Sequence, residues 1–364
     1  MATLADAGLT FTTLAHPAPA ETRAAVLANP GFGTNFTDHM VTIEWTEGQG
    51  WHDAVIGPRQ PIPLDPAAAV LHYAQEIFEG LKAYKQADGA IALFRPEANA
   101  ARFNQSAERL AMPALPESVF VEAIEKLVQI DRAWIPEGEG ASLYLRPFMI
   151  ATEAFLGVRP AKQYKFIVIA SPAGNYFKSG APAVSIWVSD YTRAAPGGTG
   201  AAKCGGNYAA SLVPQAEAIA RGHDQVVFLD AAEHKWIEEL GGMNLYFAFD
   251  DGTLLTPELT GTILPGITRD SLLQLAREEG LTVTEGRYSL DQWRADAASG
   301  KLIETFACGT AAVVTSVGKV SGRDGDFTIG TGGPGQLTGK LKNRLVSIQR
   351  GEAPDTHGWI RKIG

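Results

Sequence analysis

A break near the middle of the chain limits the possible folds more than any other feature of the sequence. Residues 171–180 read Ser-Pro-Ala-Gly-Asn-Tyr-Phe-Lys-Ser-Gly, a Gly/Pro/Ser-rich stretch between β-rich segments. Glycine and proline at this density punctuate elements rather than sit inside them, and domain boundaries favour such linkers. At 364 residues the chain is too long for one comfortable core, so two domains are expected. The break assigns residues 1–170 to a small N-terminal domain, 171–181 to a linker and 182–364 to a larger C-terminal domain.

Strands and helices mix in both halves, without the regular alternation of a doubly wound sheet. Residues 1–35 are Ala/Pro-rich and read as a loosely packed arm. Residues 40–45 read as a strand, 67–84 as an extended apolar segment and 90–94 as a strand. A helix is expected to start at Pro96, where proline costs no hydrogen bond, and to run to 109. Another runs from Ser118, as N-cap, to Trp134, with Val119, Ala123, Leu127 and Ile130 on one face. Strands follow over 142–150 and 165–170. Beyond the linker, strands are expected over 183–189, 225–229, 245–249 and 312–317, with helices over 212–221 and 267–279. The fold class is mixed α/β (α+β).

Composition removes several function classes. Hydrophobic residues make up 45% and charged residues 20%, the profile of a globular enzyme rather than a disordered chain. A net charge of −9 with no Lys/Arg run argues against a nucleic-acid partner. The first residues lack a basic start and a long apolar run, so no secretory signal is expected. No stretch approaches the roughly 18 apolar residues of a membrane span. Cys204 and Cys308 are too few for a disulfide framework and suit a reducing cytosol. The histidines are scattered with no paired metal spacing, so no catalytic metal is expected.

The chemistry concentrates in Arg193-Ala-Ala-Pro-Gly-Gly-Thr-Gly-Ala-Ala-Lys203-Cys-Gly-Gly-Asn-Tyr208. Lys203 is the only Lys or Arg between Arg193 and Arg221. Small neighbours let a bulky planar molecule approach its amine, and an apolar setting disfavours the ammonium form. A neutral amine is what Schiff-base chemistry requires. Read alone, the same run is equally a flexible Gly-rich loop with one exposed lysine.

Four further segments carry the same double reading. Glu238-Glu239 leads into an apolar strand, where a carboxylate can face a pyridinium nitrogen or be a solvated pair. Pro265-Gly266 precedes a helix whose first amides, Ile267 and Thr268, suit a phosphate or simply end a capped turn. Cys308-Gly-Thr310-Ala311 can offer a hydroxyl and consecutive amides to an anion or be a strand-entry turn. Arg95 closes a strand, as a phosphate ligand or a surface arginine.

Taken in order, these segments closely resemble the branched-chain aminotransferases, pyridoxal-phosphate enzymes of fold type IV. The resemblance runs from about residue 35 to 346. It rests on Asn35-Phe-Thr-Asp-His-Met40, Ile77-Phe-Glu-Gly-Leu-Lys-Ala-Tyr84, Leu93-Phe-Arg-Pro96 and Leu143-Tyr-Leu-Arg-Pro147. It continues through Lys203-Cys-Gly-Gly-Asn-Tyr208, Glu239-Leu-Gly-Gly-Met-Asn244, Ile263-Leu-Pro-Gly266 and Gly309-Thr-Ala311. The fold it implies is a small N-terminal α/β domain and a larger C-terminal pseudo-barrel, with pyridoxal 5'-phosphate at their interface and two subunits completing each other's pockets.

By the same resemblance, Lys203 forms the Schiff base, Tyr208 donates toward the phenolic oxygen and Glu239 pairs with the ring nitrogen. Arg95, the Ile267 and Thr268 amides and Thr310 hold the phosphate, with Arg193 close to it. Phe36, Tyr73, Phe78, Tyr144, Tyr176 and Tyr208 form an aromatic wall for an aliphatic side chain. Arg146 helps seat the glutamate carboxylate, and the Thr310–Ala311 turn receives the α-carboxylate. The implied substrates are Leu, Ile, Val, glutamate and their 2-keto acids, in a cytoplasmic homodimer. A D-amino-acid aminotransferase or an aminodeoxychorismate lyase is the nearest alternative. The chain departs from the animal pattern at Ala312 and Thr315, where a redox-active Cys-x-x-Cys would stand, so no thiol switch is expected there. A family hydroxyl is also replaced within Gly241-Gly242.

Overall fold

A computed structural model describes residues 2–174 and 183–364. The chain divides into two compact units. The first comprises Met1–Tyr176, Ala202–Gly205 and Ile348–Gly364, the second Phe177–Ala201 and Gly206–Ser347. Each unit is thus assembled from more than one stretch of the chain. The C-terminal residues return to the first unit because Ile360–Ile363 pairs antiparallel with Ile91–Phe94, giving an otherwise open sheet edge a partner.

The first unit is built on a nine-stranded sheet. Its path runs Thr10–Phe11, Gly50–Pro58, His39–Thr46, Gln163–Ala173, Ser142–Ala151, Leu81–Lys85, Ile91–Phe94, Ile360–Ile363, with Glu76–Phe78 added on Ser142–Ala151. Residues 171–173, placed in the linker by composition, extend the Gln163–Ala173 strand. The 67–84 segment is not uniformly extended: a short helix, Ala69–Tyr73, precedes two strands. Nor is the N-terminal arm all loose, since Leu4 and Ala7 are buried in the core.

Helix Pro96–Arg109 begins with its proline as expected. Helix Glu117–Ile130 buries Val119, Phe120, Ala123, Ile124, Leu127 and Val128, an apolar stripe at helical spacing. Its N-cap is Pro116 rather than Ser118, whose hydroxyl instead donates to the Ala2 carbonyl at 2.5 Å. Phe103, Phe120 and Phe166, with ring centres 5.3–5.8 Å apart, lock the helices to the sheet.

The second unit contains a closed six-stranded barrel. Ile237–Leu240, Gln225–Leu229, Ala183–Val188, Val313–Gly322, Leu302–Gly309 and Asn244–Phe249 follow one another, and Asn244 pairs back to Glu239. Asn244–Phe249 is buried along its entire length, which is why it reads as an unbroken apolar run. Helix Leu290–Ser299, absent from the sequence reading, carries a Ser289/Gln292 capping box and ends at Gly300 with φ +80°. The expected 312–317 strand is longer, Val313–Gly322. Among the described residues, no helix is long and apolar enough to cross a membrane, and no group of metal-ligating side chains assembles.

Candidate active site

Lys203 belongs to the first unit, although the chain on both sides of Ala202–Gly205 belongs to the second. The lysine is half-buried. Its amide donates to Ser106 Oγ at 2.9 Å, and its carbonyl accepts from the Phe78 amide at 2.9 Å. The Ser106 hydroxyl donates to the Arg102 carbonyl at 3.0 Å, so this grip is rooted in helix Pro96–Arg109. Both bonds hold main-chain atoms. Nζ stands 4.8 Å from the centre of the Phe78 ring, within cation–π range.

Next to Phe78, Glu79 is completely buried. Its carboxylate receives Arg102 Nε and Nη2 at 2.7 and 2.8 Å and Asn99 Nδ2 at 2.7 Å. Burial raises its pKa, but the charge and hydrogen bonds of Arg102, the charge of Lys203 and the Asn99 amide outweigh that and hold it below the usual carboxylate value. Lys203 thus acts electrostatically on a buried anion, so it is not the lone amine that the Gly-rich run suggested. Glu76 accepts the Gly205 amide, and a Cβ at Gly205 would collide with that carboxylate. Burial raises the Glu76 pKa, against the Gly205 bond and the Arg146 charge.

Strand Ser142–Ala151 presents Tyr144 and Arg146 on its half-buried face, as residues two apart must. Arg146 Nη2 donates to Tyr144 Oη at 3.3 Å. The guanidinium stands over the Phe78 and Tyr144 rings at 4.9 and 5.5 Å, and its buried Nε has no hydrogen-bond partner. Phe32, which the sequence did not single out, packs edge-on against Tyr144 at 5.1 Å. Phe36 is half-buried beneath Arg59, 5.1 Å from its ring. Tyr73 is 41% exposed. It contacts His72, Phe155 and the Leu156 carbonyl, a different set from the Phe78–Tyr144–Arg146 cluster. Tyr176 lies outside the described residues. Arg95, at the start of helix Pro96–Arg109, stands 5.3 Å over the Trp359 ring.

In the second unit, strand register gathers the remaining candidates. Glu239 pairs with Asn244, Asn244 with Cys308, and Gly309 with Val313. The Gly241–Gly242–Met243 turn and the Thr310–Ala311–Ala312 turn therefore lie at one end of the barrel, and a Cβ on Gly309 would sit 3.3 Å from Met243 Cγ. Leu264 donates its amide to Glu239 Oε1 at 3.2 Å, and Asn244 Nδ2 donates to the Leu264 carbonyl at 3.0 Å. These bonds bring the start of helix Ile267–Glu278 to the same end. Its N-cap is Gly266, which has no side chain to make a capping bond. A Cβ on Gly266 would lie 2.1 Å from Asn244 Oδ1, so glycine is needed there.

Arg193 and Glu239 form an ion pair at 2.7 Å, with side chains 2% and 3% exposed. Arg193 Nη1 also lies 3.5 Å from the Thr262 carbonyl. Its Nε is buried without a hydrogen-bond partner, and its guanidinium lies 5.9 Å from the Tyr208 ring. A Cβ on Gly242 would lie 3.7 Å from Tyr208 Cε1, an ordinary contact. Thr199 Oγ1 donates to Asn207 Oδ1 at 2.7 Å and Asn207 Nδ2 returns to the Thr199 carbonyl at 2.8 Å. Glu238 is buried and accepts from Thr262 Oγ1 at 2.5 Å, beside a cavity of about 220 Å³. Burial raises its pKa, helped by Asp230 and opposed by Thr262 and Arg193.

Sequence reasoning missed Ser106, Arg102, Asn99, Glu76 and the Thr199–Asn207 clamp. A signal existed for one of their partners: a glutamate inside the apolar run Ile77-Phe-Glu-Gly-Leu81 is buried, and a buried carboxylate demands a cation. Nothing in the local sequence ties Ser106 to a lysine 97 positions away.

The family model for class IV amino-transferases matches residues 76–320. A probable branched-chain-amino-acid aminotransferase of Streptomyces coelicolor is 60% identical, over 96% of this chain and 97% of its own. The branched-chain-amino-acid aminotransferase of Mycolicibacterium smegmatis is 57% identical, over 98% of each chain. Among solved structures, the branched-chain amino acid aminotransferase of Escherichia coli superposes with a TM-score of 0.71 at 28% identity, covering 89% of this chain and 99% of that one.

Proposed function

This chain belongs to the branched-chain-amino-acid aminotransferases of class IV, and on that premise we propose that Lys203 is the residue through which it exchanges amino groups. The enzyme reversibly transaminates Leu, Ile and Val with 2-oxoglutarate, using pyridoxal 5'-phosphate. A solved branched-chain aminotransferase 30% identical to this chain holds pyridoxamine 5'-phosphate. The donor types here suit that class of cofactor: an amine, a buried carboxylate, a helix that starts after a glycine and a hydroxyl-bearing turn. The observation that carries the reading is the two-sided grip of Ser106 and Phe78 on the Lys203 main chain, which fixes where the backbone of the amine-bearing residue stands.

Bound pyridoxal phosphate supplies an aldehyde for covalent attachment of amines and a ring that stores the electron pair left by a departing α-proton. Lys203 Nζ would hold the cofactor and, when released, would take the substrate α-proton and return it. The Glu239 carboxylate, paired with Arg193, would face the ring nitrogen. Tyr208 donates toward the phenolic oxygen. Arg95, the amides of Ile267 and Thr268, and Thr310 bind the phosphate.

The resemblance assigns Phe36, Tyr73, Phe78, Tyr144, Tyr176 and Tyr208 to the aliphatic side chain of the substrate, and the Thr310–Ala311 amides to its α-carboxylate. Arg146, with an unpartnered Nε, seats the second carboxylate of glutamate. One site thus serves both substrates in turn, which is ping-pong kinetics. Its partners are small molecules only. A homodimer is supported by the exposed apolar side chains of Leu71, Tyr73, Leu156 and Val158, and sedimentation tests it. Two buried, unpaired cysteines support a cytoplasmic location.

Borohydride reduction of the loaded enzyme followed by peptide mapping tests the assignment. A label on Lys203 is expected, and its absence there overturns the assignment. A substrate panel tests the specificity: L-Leu, L-Ile and L-Val inactive beside reactive D-Ala would reassign the chain to the D-amino-acid enzymes.

A further inference from the structure

The C-terminal segment crosses back to the first unit at a place where it touches a candidate phosphate ligand. Ile360 pairs with Phe94 in the antiparallel edge of the sheet, and this register sets Trp359 opposite Arg95. The Arg95 amide donates to the Trp359 carbonyl at 2.7 Å. The Arg95 guanidinium stands 5.3 Å from the centre of the indole. The indole itself is only 6% exposed. It packs edge-on to Phe94 at 5.6 Å and stacks on His357 at 4.0 Å and 14°. Asp355 fixes this turn by accepting the amides of His357 and Ile360 at 3.1 and 2.7 Å.

Arg95 also has a backbone that needs support. Its φ is +51°, a left-handed conformation that a long side chain adopts only where the surroundings enforce it. The bond to Trp359 holds that peptide in place. A flat aromatic face beneath a guanidinium restricts it to a plane, and it is through in-plane N–H groups that a guanidinium pairs with a phosphate.

We propose that Trp359 is a positioning residue for cofactor phosphate: it fixes the backbone and the guanidinium plane of Arg95 and so selects phosphorylated over unphosphorylated pyridoxal. The inference rests on the phosphate role proposed for Arg95. The C-terminal strand thereby becomes part of the binding apparatus, although it bears no ligand itself.

Titration of full-length apoenzyme with pyridoxal phosphate and with pyridoxal, read by the absorbance of the bound cofactor, tests it. W359A is expected to weaken pyridoxal phosphate by about tenfold, as loss of a desolvated cation–π contact implies, with pyridoxal unchanged. W359F, which keeps an aromatic face and fills most of the space, is expected to lose less and covers the case in which W359A does not fold. Equal loss for both ligands would mean a merely structural tryptophan and overturns the proposal, as does no loss for either. R95A distinguishes the layers. If R95A still prefers the phosphorylated ligand, the phosphate reading falls and the inference falls with it. If R95A loses the preference while both Trp359 variants keep it, the inference alone falls.

Discussion

Ser106 Oγ accepts the amide hydrogen of Lys203 at 2.9 Å, tying that lysine to a helix almost a hundred residues earlier. Removing the acceptor leaves a partly buried donor unsatisfied, which costs about 1–3 kcal/mol. S106A is expected to lower stability by that amount and to slow the half-reaction with L-Leu while leaving its KM little changed. Stopped-flow absorbance and denaturant unfolding measure the two. A half-reaction at the wild-type rate would show that the grip on the backbone does not position the amine.

Arg193 and Glu239 form a buried pair, and R193A leaves Glu239 without its cation. Breaking a buried pair on one side costs about 3–5 kcal/mol. Urea unfolding of R193A should show a loss of that size. A near-neutral result would mean that water or another cation replaces the arginine.

Gly80 is held by Tyr144: a Cβ there would lie 2.1 Å from Tyr144 Oη. The ring can swing aside, so G80A should fold, but the Tyr144–Arg146 hydrogen bond would break. With that bond worth about 1 kcal/mol, the KM for 2-oxoglutarate should rise about fivefold. The KM for L-Leu, which has no second carboxylate, should change less. Equal changes would separate Arg146 from carboxylate recognition.

Burial pushes the Cys308 thiol up to about 12, and the side chain is inaccessible. The native enzyme should therefore resist alkylation at Cys308 at pH 8, with modification following only on unfolding. Mass spectrometry of the Cys308 peptide after iodoacetamide checks this.

Burial would raise the Asp230 pKa, but the amides of Lys235, Trp236, Glu233 and Ala232 lower it to about 2. A folded value below the unfolded one of about 3.9 means that the ionised carboxylate stabilises the fold. That contribution is complete above about pH 5 and disappears as pH falls through 4 toward 2. Calorimetry of wild type and D230N should show a stability gap that is constant near neutrality and closes over this acid range. A gap that widens on acidification contradicts the assignment.

Local patterns reached a good part of the fold. The 225–229 strand stands where its apolar run placed it, and Pro96 starts its helix. Short-range chemistry decides such elements: period, capping and turn residues act within a few positions. The same reasoning put the 118–134 helix one turn too far at its end and gave it the wrong cap, because Ser118 found a distant carbonyl instead.

Lys203, Glu239, Arg95 and the 308–311 turn could be singled out from residue type and small neighbours, because nucleophiles, carboxylates and Gly-rich anion cradles carry local signatures. Which groups they meet could not. Arg193 on Glu239, Glu79 on Arg102 and Trp359 under Arg95 are set by strand register and by the return of the C-terminus, over 23 to 264 positions. The sequence by itself determined which side chains are capable of the chemistry. Only the tertiary structure decided their partners, because a charge or a hydrogen bond acts over a few ångströms of space and takes no account of distance along the chain.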